Sequence, residues 1–376
     1  MRKLTLILFL SLLSNYTSIA QDGYHPFEIA GKINADTGEV ILEVLFDHDY
    51  YPEQVERKMV SQVTNGEFTI RGHIPYPQGV RLFYGDRYYS KVFVIDPGEQ
   101  SVSVDIKASR EAPEVANASM NEYETQYLPF YESIMEKRRL HTEKRAALRE
   151  QYQGEVPDSI QLVLEAEINR IYMESDSTLL RYVEANPDSY VALWNFINLF
   201  SGFGYQSVFD DVYAAFSDSL KKTHAGRVLA QKLAVASKLD YGKTFPSMAL
   251  EDEQNQSWVL STVPENKFTF VDFWYSNCRP CIAQFPHLRE TYQAYQSQGF
   301  EIIGISTDRT RYKENWMKAI DKYQLSWPQY WDQDVVESSK LSINKFPSNF
   351  LLDQQGKIIK KDLRPVELEQ FLKENI

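Results

Sequence analysis

Val271-Asp-Phe-Trp-Tyr-Ser-Asn-Cys-Arg-Pro-Cys281 decides how the last third of this chain folds. The apolar run Lys267 to Trp274 reads as a buried strand, and a helical pattern takes over from Cys281 to Gln298. The only two cysteines of the 376 residues, Cys278 and Cys281, therefore sit where strand gives way to helix. Cys278 is expected at the helix N-terminus, exposed and facing unpaired backbone N–H groups. Cys281 is expected one turn in, on the same side and more buried. The helix end and Arg279 both favour a thiolate at Cys278. Pro280 takes an early helix position, where its missing donor costs little. If the Cys278 pKa falls from about 8.5 to about 7, the larger thiolate fraction is nearly cancelled by weaker nucleophilicity. The same change stabilises the thiolate by about 2 kcal/mol, which favours the reduced form and makes Cys278 a better leaving group. The local field therefore sets redox poise more than speed.

Working outward, Phe300 to Ser306 reads as a second buried strand and Tyr312 to Tyr323 as a helix. Ser348 to Leu352 and Lys357 to Lys360 read as strands joined by the turn Asp353-Gln-Gln-Gly356, with a closing helix from Val366 to Glu374. A parallel βαβ unit followed by an antiparallel hairpin makes an α/β domain, a mixed sheet flanked by helices. Asp272 lies inside the apolar strand, where an acid is costly unless used. It can take the proton of buried Cys281, with its own pKa raised by burial, or it is an edge acid that reaches solvent. Pro347 starts a strand after Phe346. As a trans proline it merely opens an edge strand, whereas a cis bond would bring backbone close to the cysteines to receive an extended substrate. Pro286 should kink the active-site helix. A haem-attachment site needs His where Ile282 stands, and two Cys plus His287 leave zinc short of ligands, so neither metal nor cofactor is expected. A purely structural disulfide remains the other reading of the pair.

These residues carry a resemblance. Val271 to Pro286, Gly299 to Ser306 and Ile343 to Ile358 together resemble the TlpA/ResA-like thiol–disulfide reductases, which have a thioredoxin fold and overlap the AhpC/TSA-type domain. The resemblance spans residues 242–376. It implies a redox-active pair at Cys278 and Cys281, a cis proline at Pro347 and Asp272 as the buried acid. With it comes a substrate surface formed by Trp274, Arg279, Pro280, Phe346 and Pro347. It also implies protein disulfide substrates and an upstream membrane thiol donor, with apocytochrome c maturation or envelope disulfide repair as uses. Asn277 stands where the family usually has Trp, Gln284 where many members have Glu, and Ser348 where Thr is usual. The peroxidase branch wants Pro-x-x-x-Thr/Ser-x-x-Cys, but Val271 and Tyr275 hold those places, which argues against peroxide reduction.

The rest of the chain divides into 1–20, 21–112 and 113–241. Arg2 and Lys3, the apolar run Leu4 to Leu13 and the small residues Ser18 and Ala20 read as a secretory signal peptide, too short to span a bilayer. The mature chain is thus expected in the bacterial periplasm or cell envelope, soluble and with no integral membrane segment. Residues 21–112 show short alternating runs such as Val40 to Phe46 and Val80 to Tyr84, broken by Gly, Pro and Asn, which suit a small antiparallel β-sandwich. Residues 113–241 read as all-helical, with a stop at Asn186-Pro187 and a cap at Asp188-Ser189. The two segments resemble the sandwich-plus-helices region that precedes such reductase domains, which brings no known activity. A net charge of −12 makes nucleic acid a poor partner. The competing function is an envelope binding or scaffold protein that holds a stable, non-catalytic disulfide.

Overall fold

The computed structural model describes residues 23–45, 47–86, 88–260 and 266–376; the signal-like segment lies outside them. The first strands are β1 (His25–Ile33), β2 (Thr37–Val44), β3 (Lys58–Thr64), β4 (Glu67–Ile74), β5 (Gln78–Tyr84), β6 (Tyr88–Tyr89), β7 (Phe93–Ile95), β8 (Gly98–Val104) and β9 (Glu114–Ala116). Alternate residues turn inward, as with Val40, Leu42 and Val44 of β2. The hydrogen bonds follow one path, β6-β5-β2-β3-β4-β1-β8-β9, with β7 also on β5. All pairs are antiparallel except β1 with β8. The expected antiparallel β region is present; its strands join along one hydrogen-bonded path with a single parallel seam between β1 and β8. Alternation identifies a strand's buried face but not its neighbour. Gly31 of β1 is dictated by packing, because a Cβ there would stand 2.1 Å from a ring carbon of Phe68.

Helices follow: α1 (Ala118–Glu122), α2 (Leu128–Gln151), α3 (Asp158–Ala185), α4 (Tyr190–Phe203), α5 (Val208–Ala215), α6 (Asp218–Lys221) and α7 (His224–Ala236). Ser189 caps α4 by accepting from the N–H of Ala192 at 2.9 Å. The apolar face of α4 does not build a core of its own. Trp194 is fully buried, stacks on Tyr51 at 4.9 Å and donates its indole N–H to the Pro77 carbonyl at 2.9 Å. It also lies so close to Gly79 that a Cβ there would meet its ring at 2.8 Å. Sheet and helices therefore share one hydrophobic core.

The C-terminal segment contains β10 (Met248–Asp252), β11 (Ser257–Leu260), β12 (Phe268–Trp274), α8 (Arg279–Tyr295), β13 (Phe300–Ser306), α9 (Lys313–Tyr323), β14 (Gln329–Trp331), α10 (Val336–Lys340), β15 (Ser348–Asp353), β16 (Ile358–Lys361) and α11 (Pro365–Asn375). Its sheet runs β11-β10-β14-β13-β12-β15-β16. β12, β13 and β14 are mutually parallel and the flanking pairs antiparallel, so the expected mixed sheet is present. Strand β12 lies inside the sheet, between β13 and β15, and is buried on both faces. Phe270 and Trp274 face α8, α9 and α11, while Val271 and Phe273 face the second core with Ile305 and Phe350. Short β10, β11, β14 and α10 are additions that sequence pattern did not mark. The two halves are tied by Lys361, which meets Asp240 at 3.0 Å and the Tyr205 carbonyl at 3.2 Å, and by Lys345, which donates to the Phe203 carbonyl at 2.7 Å. Among the described residues no helix is long and apolar enough to cross a membrane.

Trp194→Ala should cost about 3–5 kcal/mol. Hydrogen exchange would then lose protection in β1–β8 and in α4–α7 together; protection lost in the helices alone would mean that the two have separate cores.

Candidate active site

The chain leaves β12 at Trp274, turns through Tyr275-Ser276-Asn277 and enters α8. Cys278 is the helix N-cap in extended conformation, and its Sγ accepts from the Cys281 N–H at 3.2 Å. The two sulfurs are bonded, with Cα atoms 5.2 Å apart. Cys278 was expected to be exposed, but both cysteines are only 1% exposed. Both sulfurs pack in the core cluster under the first turn of α8, with Phe270, Trp274 and Phe285. The entry loop is held by an acid that sequence reading missed. Buried Asp308 accepts the Ser276 N–H and hydroxyl at 2.7 Å each, and the Ser306 hydroxyl at 3.0 Å. The Asp308 carbonyl in turn accepts the Trp331 indole N–H at 2.6 Å. The available signal was Ser306-Thr-Asp308, polar residues directly after a buried strand.

Asp272 is 2% exposed, and desolvation pushes its carboxyl up to about 8. It shares the helix-facing side of β12 with Phe270 and Trp274, the side on which Cys281 packs. Its Oδ1 has no hydrogen-bond partner among the described residues. Trp274 was expected on the substrate surface and is instead buried. It is 1% exposed, packs edge-on against Phe285 at 5.2 Å and gives its N–H to Gln329 at 3.1 Å. Strand alternation sends it inward, and Tyr275, 37% exposed, is the aromatic at the surface. Tyr275 meets Phe346 edge-on at 5.5 Å. The Phe346–Pro347 peptide is cis, and Ser348, its successor, pairs with Phe273 of β12. That register sets Phe346 and Pro347 beside the strand end from which the cysteine loop departs. Arg279 and Pro280 are exposed in the first turn of α8. Helix α8 runs on through Pro286 as one element, and His287 bonds Glu369 at 2.8 Å, away from the cysteines' chemistry.

A strand-to-helix cysteine pair beside a cis proline can be compared with known proteins. The chain is 30% identical over 130 residues to the thiol-disulfide oxidoreductase ResA of Geobacillus thermodenitrificans, covering 35% of this chain and 71% of that one. The chain belongs to the ResA-like thiol–disulfide oxidoreductases. It is thus an oxidoreductase of the protein-disulfide type. The ResA of Bacillus cereus is 29% identical over 135 residues, covering 36% of this chain and 76% of its own. Residues 241–361 match the AhpC/TSA family. Among solved structures, the thioredoxin domain of a thiol-disulfide oxidoreductase from Bacteroides vulgatus is 33% identical, with a TM-score of 0.33, covering 36% of this chain and 96% of that domain. Within this ResA-like domain the cysteines, Asp272 and the cis proline gather at one sheet end, and Trp274 supports them from beneath.

Asp272 yields a pH test. Between about 4 and about 8 the folded chain keeps a proton that the unfolded chain has lost, so this residue lowers stability as pH rises through that window. Asp272→Asn should remove that slope and be the more stable protein at the alkaline end, by up to several kcal/mol. Urea midpoints across the window check this; parallel curves for the two proteins would place Asp272 in contact with water.

Proposed function

We propose that this chain is an exported thiol–disulfide reductase that cycles Cys278 and Cys281 between dithiol and disulfide. The observation that carries the reading is a bonded cysteine pair at the N-cap of α8 with a buried acid on the strand behind it. In the reduced state the Cys278 thiolate attacks one sulfur of a substrate disulfide. A mixed disulfide forms and the first substrate thiolate leaves. Asp272, whose carboxyl is pushed up to about 8, close to a thiol, takes the Cys281 proton when it is in its ionised form, in contact or through one water. The Cys281 thiolate then attacks Cys278 Sγ and expels the second substrate thiolate. Two electrons have moved from the pair to the substrate, and the disulfide of the present structure is the product state. The Cys281 N–H directed at Cys278 Sγ favours negative charge on that sulfur, so Cys278 is the better leaving group and the reduced pair is favoured.

No added cofactor is required, because the sulfurs carry the electrons. Phe346, cis Pro347 and Tyr275 form the surface that receives an extended substrate strand, and Arg279 and Pro280 border it. Reduction has to be supplied from outside the chain, and we assign it to a membrane-bound thiol donor in the cell envelope. Residues 1–20 support export to that compartment, where unprotected thiol pairs become oxidised. The N-terminal sheet and helices brace the segment that carries the cis proline through Lys345.

Cys281→Ser should trap substrates on Cys278 as adducts that dithiothreitol releases, and Cys278→Ser should trap none. The wild-type pair should reduce insulin with a potential near the thioredoxin value of about −270 mV. A pair that leaves insulin untouched and captures nothing from envelope extracts would return the domain to a scaffold with a stable disulfide.

A further inference from the structure

A groove of about 500 Å³ opens between the start of α8 and helix α9. Asn277 and Arg279 border it on the cysteine side, and Asn315, Lys318, Lys322 and Tyr323 on the other. Among the described residues no carboxylate lines it, in a chain whose net charge is −12. Lys318 and Lys322 are one helical turn apart and therefore share a face of α9. Both are exposed, as is Arg279. The charges are almost unspent. Arg279 makes no ion pair or side-chain hydrogen bond among the described residues. Lys322 meets only the Tyr323 ring, at 4.9 Å, and Lys318 approaches Glu314 at 3.6 Å on the open surface. Several other lysines of the domain are paired: Lys313 with Glu251 at 3.1 Å, Lys340 with Glu337 at 2.5 Å and Lys345 with Asp362 at 2.9 Å.

Position in the sheet gives the groove a direction. β12 lies between β13 and β15. The cis proline stands before β15, whereas α9 follows β13, so the groove lies on the opposite side of the cysteines from Pro347. A substrate strand crossing Cys278 lays one flank along Phe346 and Pro347 and the other over Arg279, Lys318 and Lys322.

We propose that this groove docks an acidic segment that flanks the target cysteine of the protein substrate. The proposal rests on the reductase reading and adds the class of substrate. Each exposed ion pair contributes little alone, but a carboxylate-free cluster acting on the encounter raises capture of an acidic partner and does so less as salt increases.

The test uses the full mature chain and three disulfide peptides alike except for Glu-Glu, Gln-Gln or Lys-Lys a few residues from one cysteine. At low ionic strength kcat/KM should follow Glu above Gln above Lys, with about a fivefold step from Gln to Glu. The order should flatten at molar salt, where the Debye length is about 3 Å. In the double variant K318E/K322E the order should invert, an outcome that damaged folding cannot imitate because it lowers all three rates together. Equal turnover of the peptides by the wild-type chain, or the original order persisting in the variant, overturns the acidic-docking proposal and leaves the reductase reading standing. If none of the peptides is reduced, the Gln-Gln peptide included, the reductase reading fails and the docking proposal with it.

Discussion

A strand buried on both faces must end somewhere, and β12 ends by handing its backbone to a helix. The leading N–H groups of α8, one fewer than usual because Pro280 has none, then need acceptors, and Cys278 Sγ is one of them. The chemistry of the site depends on this junction. A sulfur that serves as a helix cap is held against positive partial charge, one turn from its partner, in a position set by an interior strand of the sheet. The junction is rigid because its entry loop is clamped. Ser276 gives both its N–H and its hydroxyl to Asp308, and Asp308 is itself fixed to Ser306 and Trp331. The cap, the clamp and the sheet end therefore belong to one hydrogen-bonded unit.

That unit couples the bonded sulfurs to the buried core. With the sulfurs bonded, Cys278 is packed with the core residues around α8 rather than presented to solvent. Asp272 belongs to the same coupling from the inside. Burial holds its proton to about pH 8, so it is a neutral acid when the site rests and a base only when a proton is drawn from it.

The first two thirds of the chain touch this site only indirectly. Trp194 joins sheet and helices into one body, and that body reaches the oxidoreductase domain through Lys345 and Lys361. Lys345 stands two residues before Pro347. The contact therefore supports the segment that carries the cis proline.

Sequence by itself determined the strand-to-helix placement of Cys278 and Cys281, the strand containing Asp272, the late hairpin and the helix ends at Asn186 and Ser189. These follow from local periodicity and capping, which act between near neighbours in the chain. Tertiary structure alone decided which residues reach the surface. Trp274 turned inward and Tyr275 outward, and Cys278 was covered. It also decided partners far apart in sequence: Asp308 under Ser276, the parallel β1–β8 seam, the common core of sheet and helices, and Lys318 and Lys322 opposite Arg279. Such pairings depend on how whole elements pack and on which buried polar groups must find each other. A one-dimensional pattern of apolar and polar residues carries the faces of an element but not the identity of what those faces meet.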